Sequence, residues 1–153
     1  MDLKTKAFQP SGAIPSKYTC DGADVSPDLT WEGAPKETKS FALICDDPDA
    51  PSGTFTHWVL YSLPASTTTL PENFPKKEQV DSPKGNQGTN DFSKVGYGGP
   101  CPPRGSRHRY FFKLYALDAE IQLSSKAKKK DLEAAMKGHV LAQAELMGTY
   151  QRQ

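Results

Sequence analysis

All thirteen prolines of this 153-residue chain fall at or before Pro103, and most of its twelve glycines accompany them. Proline fixes its own φ and offers no backbone N–H, so no long helix can run through this region and the chain is cut into short segments joined by turns. Short segments that must bury apolar surface read as strands, so the first two thirds predict a β-rich layout with long loops. Residues 40–45, 56–62 and 110–117 carry enough aromatic and β-branched side chains to be its central strands. Each is apolar on both faces over much of its length, which requires cover from a second sheet or a helix rather than water. Residues 3–8 and 29–31 are shorter, weaker strand candidates.

Between 64 and 97 the chain turns polar, with Pro71, Pro75 and Pro83 and the stretch 84–91, and predicts a long surface excursion with little regular structure. From Lys130 the pattern changes. Leu132, Met136, Val140, Met147 and Tyr150 fall near one face at helical spacing, with Ala135 and Leu146 beside them, which predicts an amphipathic C-terminal helix. Gly138 in its middle costs about 1 kcal/mol relative to alanine. Lys126, Lys128, Lys129 and Lys130 oppose the helix dipole at its start, so this helix must depend on docking, and the lysine run reads as a solvated end. With no internal repeat and no linker, residues 1–153 are expected to form a single domain.

The 19 Lys plus Arg nearly cancel the 18 Asp plus Glu, which leaves no positive field for a nucleic acid or an anionic membrane. The first eight residues alternate polar and apolar character and lack the apolar stretch of a secretory signal. No segment approaches the roughly 20 apolar residues needed to span a bilayer. A cytoplasmic protein is the expectation. Cys20, Cys45 and Cys101 are odd in number and have no C-x-x-C spacing, so they signal neither a disulfide framework nor a zinc site, and three reduced thiols are expected.

Three local features carry possible chemistry. His57 and His108 open or precede candidate strands. The stretch Asp46-Asp47-Pro48-Asp49-Ala50-Pro51 follows another strand, and its prolines stiffen a loop bearing three carboxylates. In Gly96-Tyr97-Gly98-Gly99-Pro100-Cys101-Pro102-Pro103 the glycines let backbone N–H groups approach a ligand. If the strand ends meet, a carboxylate can take a hydrogen bond from one imidazole nitrogen and leave the other facing a ligand. Taken singly, each feature equally suits a packed histidine or an ordinary turn. His139 has no visible partner and reads as structural.

Taken together, Cys20-Asp21-Gly22, Ser26-Pro27, Leu29-Thr30-Trp31, Asp47-Pro48-Asp49-Ala50-Pro51, His57-Trp58, the 97–103 run, His108-Arg109-Tyr110 and Gly138-His139 resemble the phosphatidylethanolamine-binding protein family, and within it the prokaryotic, Raf-kinase-inhibitor-like branch. The resemblance spans about residues 8–150. It implies a mainly β, two-sheet Greek-key sandwich with a C-terminal helix and a few short peripheral helices. It also implies a pocket for small anions or phosphoryl head groups, whose matching positions here are Asp47, His57, Gly99, Pro100, His108 and Tyr110. In that pocket His57 and His108 would contact the anion. Asp47 would orient an imidazole or meet a ligand ammonium, and Tyr110 would donate its hydroxyl or wall the site.

Neighbours on a strand point to opposite faces, so Arg109 is expected to hold the loop through a bidentate pair with Asp49. Trp58 is assigned to the core and Cys101 to packing. The sequence departs from the family pattern at Ser106-Arg107, where Arg107 reads as a solvated loop residue, and in the lysine-rich start of the last helix.

The function this implies is a non-enzymatic binding or regulatory protein, without cofactor or metal, working as a homodimer. An alternative from the same resemblance is inhibition of a serine protease or kinase through a surface patch. A hydrolase built from Asp, His and Cys101 ranks below both, because the chain has neither a nucleophile elbow nor an H-E-x-x-H motif.

Overall fold

Residues 1–153 are described by a computed structural model. The three apolar segments form its central strands, β3 (Ser40–Asp47), β4 (Phe55–Pro64) and β8 (Arg107–Leu117), which pair antiparallel in the order β4-β3-β8. Every residue of β3 is buried, as two-sided apolar character requires. The weaker candidates form β1 (Asp2–Lys4) and β2 (Leu29–Glu32), which join β5 (Thr69–Leu70) in a small antiparallel sheet ordered β1-β2-β5. One apolar cluster, with Leu3, Leu29, Trp31, Leu43, Trp58, Leu60, Phe112 and Leu114, gathers side chains of both sheets. The opposite face of the central strands presents Ala42, Ile44, Val59 and Tyr61 to Leu132 and Met136 of helix α1 (Lys129–Met136).

The 64–97 segment is more ordered than its composition suggests. It contains β5, β6 (Gln79–Asp81) and β7 (Lys84–Gln87), and β7 extends the large sheet beyond β4. Polar letters hide this strand because Gly85 lies where a Cβ would collide with Leu63 and Leu60. Gln87 works through its side chain, accepting from Trp58 Nε1 at 2.7 Å and donating to the carbonyls of Pro75 and Lys77. With β7 in place, β8-β3-β4-β7 has the 4-1-2-3 order of a Greek key, and the whole sheet runs β6-β7-β4-β3-β8-β9.

The last strand, β9 (Val140–Gln151), corrects the expected helix. Helical structure stops at Met136, and Gly138 adopts φ +83°, a left-handed conformation that glycine tolerates and that ends a helix. Beyond it Ala142, Ala144, Leu146, Gly148 and Tyr150 face the core at every second residue, and the strand pairs with β8 from Arg107↔Gln151 to Leu117↔Val140.

The expectation of three reduced thiols is also corrected. Cys20 and Cys101 form a disulfide across 81 residues of sequence, and Cys45 alone is free, buried in the core. The two halves meet because the Cys20 N–H donates to the Pro100 carbonyl, a tertiary pairing that leaves no mark in local cysteine spacing. No helix is long and apolar enough to cross a membrane.

Candidate anion-binding pocket

The end of β3 and the beginnings of β4 and β8 lie side by side, and this brings Asp47, His57, His108 and Tyr110 together. On β8, alternation turns His108 and Tyr110 to the buried face and Arg109 outward. Asp47 is nearly sealed from solvent. Its Oδ2 lies 2.6 Å from His108 Nδ1, and its Oδ1 accepts the Asp49 N–H at 2.7 Å. Both carboxylate oxygens thus accept, and His108 donates through Nδ1.

The loop carrying Asp47 is pinned from outside. Arg109 donates from Nε and Nη2 to the two oxygens of Asp49 at 2.9 and 2.8 Å, and its backbone N–H adds a third bond. These hydrogen bonds pull the Asp49 carboxyl down to about 2.

His57 is fixed by the glycine-rich run. Its Nδ1 lies 2.7 Å from the Gly98 carbonyl, which can only accept, so Nδ1 carries the proton. Gly98 returns a backbone N–H to the His57 carbonyl. The ring is wedged between Phe55, Phe92 and Tyr110, with centroids 5.0 to 5.4 Å away. Burial holds the His57 pKa below its ordinary value, against the opposing pull of the Gly98 bond and of Asp47, Asp24 and Asp91. Tyr110 is buried too, with its hydroxyl sealed from solvent close to the Asp47 carboxylate. Its pKa is raised, first by burial and then by the Asp47 charge, so the hydroxyl keeps its proton.

These side chains line a cavity of about 600 Å³, within the ordinary size of a small-molecule site. The 50–54 loop and Cys101-Pro102-Pro103 form further parts of its wall. Gly99 and Pro100, expected in that wall, are not part of it. The Gly99 N–H donates to Asp24 Oδ1 at 2.7 Å, a Cβ there would strike the Tyr18 carbonyl, and the Pro100 carbonyl accepts from Cys20. The Gly-Pro step therefore anchors the wall one residue before the wall begins.

Trp58 is fully buried in the core. Arg107 is exposed and does not line the cavity. His139 lies elsewhere, half-exposed, with Nδ1 2.8 Å from Asp118 Oδ1.

Sequence reasoning missed Phe55, Phe92, Asp91 and Arg152, all of which line the cavity. Arg152 is its one guanidinium, steered by Asp21, which also accepts from the Tyr150 hydroxyl at 2.6 Å. Gly98 lay inside the run already singled out, but only its carbonyl direction gives it a role. Phe55, two residues before His57 on β4, shares its side of the strand by alternation and could have been found that way, whereas Asp91, Phe92 and Arg152 reach the pocket from a distant loop and the C-terminus and left no local signal.

A sequence model of the phosphatidylethanolamine-binding protein family matches residues 4–151. The chain belongs to this family. A "UPF0098 protein" of Methanothermobacter thermautotrophicus is 55% identical over 99% of both chains, and one of Aquifex aeolicus is 54% identical over 99% of this chain and 89% of its own. Among solved structures, Escherichia coli YbcL, described as a member of the mammalian family, superposes with a TM-score of 0.92 at 32% identity, covering 99% of this chain and 98% of its own. CT736 of Chlamydia trachomatis, described as a family homolog, gives 0.89 at 39%, covering 99% and 97%. The phosphatidylethanolamine-binding protein fold accounts for the two-sheet sandwich and for helix α1 on its outer face.

Proposed function

We propose that this protein is a non-enzymatic recognition module that binds a small oxyanion or phosphoryl group in the pocket of Asp47, His57, His108 and Tyr110. The observation that carries this reading is the pair of imidazoles, His57 and His108, that keep Nδ1 on the Gly98 carbonyl and on Asp47 and leave Nε2 without a protein partner on side chains lining a cavity of about 600 Å³. Arg152 adds a positive charge at the rim.

Catalysis has little to work with here. The Cys101 sulfur is held in the disulfide, the Cys45 thiol lies in the core with its pKa pushed up by burial, and neither Ser52 nor Thr54 hydrogen-bonds to a histidine that could activate it.

Titration with inorganic phosphate, followed through the imidazole resonances, tests the proposal. The His57 and His108 signals shift saturably and His139 does not. Absence of any saturable shift up to high millimolar phosphate contradicts it.

A further inference from the structure

Phe92 stands between two cavities. It lines the anion pocket, and it also lines a second cavity of about 510 Å³ together with Cys20, Asp24, Lys76, Lys94 and Gly98. Cys101 lines the first cavity and Cys20 the second, so their disulfide crosses from one to the other. Gly98 completes the partition: its carbonyl meets His57 on one side, and a Cβ on it would strike the Phe92 ring.

Phe92 is 39% exposed, one of only three large apolar side chains left so open. A tightly held turn puts it there. The buried Asn90 side chain accepts from the Phe92 and Lys94 N–H groups and donates to the Gly96 carbonyl. Ser93 takes φ +64°, a left-handed conformation that is costly for a residue with a Cβ. The turn sets the Phe92 ring edge-on to Phe55 and His57 and leaves the rest of it open, where an apolar part of a ligand can cover it.

Beyond the ring the cavity is cationic. Lys94 engages the protein only through its backbone, and the Lys76 ammonium makes one exposed bond, to the Asp24 carbonyl at 2.9 Å. The Asp24 carboxylate opposes them, but its Oδ1 already accepts the Gly99 N–H at 2.7 Å. Two ammonium groups thus face one carboxylate that the loop itself holds.

Building on the anion-pocket reading, we propose that the second cavity is a subsite for the far end of the same ligand: the protein takes a small molecule with acidic groups at both ends of an apolar spacer, one end in the anion pocket, the spacer over Phe92, and the other end at Lys76 and Lys94. Exposed ion pairs contribute little each, so the second acid should add about fivefold in affinity, an advantage that shrinks as salt is raised. Tethering through the spacer makes that second contact intramolecular.

The probes are α,ω-alkanediol bisphosphates from ethane to octane, each compared by calorimetry at low ionic strength with the n-alkyl phosphate of the same length. At the best-fitting length the bisphosphate binds about fivefold more tightly, above the roughly twofold advantage that two equivalent ends give by statistics alone. In Lys76→Gln/Lys94→Gln the advantage falls to the statistical value while the affinity for inorganic phosphate stays unchanged. Lys94→Gln alone, which removes no side-chain contact within the protein, loses part of it. No advantage beyond statistics at any length overturns the inference and leaves the anion pocket standing. An advantage that survives the double substitution also overturns it, the second acid then being held by another cation such as Arg152. Failure of inorganic phosphate and of every ester to bind overturns the anion pocket and the inference together.

Discussion

At the scale of single residues, the fold and the proposed ligand make separable demands on the pocket. Tyr110→Phe removes a hydroxyl from beside an Asp47 carboxylate that already accepts from His108 and Asp49, while keeping the ring against His57, so equilibrium unfolding should show little change in stability. Phosphate affinity should fall several-fold in the same variant, and a large loss of stability would show that the hydroxyl serves the fold. Asp49 shows the opposite case. Its carboxyl sits near 2 because Arg109 donates to it, below the ordinary value of about 3.9. A depressed carboxyl contributes stability that is fully present above the ordinary value and lost as pH falls from there through about 2. Carboxyl chemical shifts should give a midpoint near 2 in the wild type and near the ordinary value in Arg109→Gln. That pair could be read from sequence because strand alternation alone sends Arg109 away from its neighbours. The placement of Gly99 and Pro100 could not, because it depends on where the Tyr18–Cys20 turn docks.

At the scale of elements, β3, β4 and β8 were readable because two-sided apolar runs have few other uses in a chain so rich in proline. The C-terminal segment was misread because it satisfies two periods at once. Val140, Met147 and Tyr150 fit a helix, while Ala142, Ala144, Leu146 and Tyr150 fit a strand, and the buried face belongs to the second set. Gly138 decides between them through its left-handed backbone, at a position where a Cβ meets nothing within 4 Å. Gly138→Ala should therefore cost backbone strain without a clash, about 1 kcal/mol in urea unfolding. An unchanged midpoint would mean that the turn does not need glycine. Strand β7 escaped notice for a related reason: a glycine and a glutamine do the packing and hydrogen bonding that aromatic and β-branched residues usually do.

At the scale of the whole molecule, the pocket is assembled from opposite ends of the chain. Cys20 is tied to Cys101 in the wall, Asp21 receives Tyr150 and Arg152 from the C-terminus, and Asp24 holds Gly99. A crosslink closing 81 residues restricts the unfolded chain strongly, so the double substitution Cys20→Ser, Cys101→Ser should lower stability by about 2–4 kcal/mol. Unchanged unfolding on reduction or substitution would show that the backbone pairing at Pro100 suffices. The most direct test of the pocket is a crystal structure of the protein grown with phosphate. An anion within hydrogen-bond distance of the Tyr110 hydroxyl and of Nε2 on His57 or His108 is the expected result. A pocket holding only water, with phosphate bound elsewhere or not at all, would contradict it.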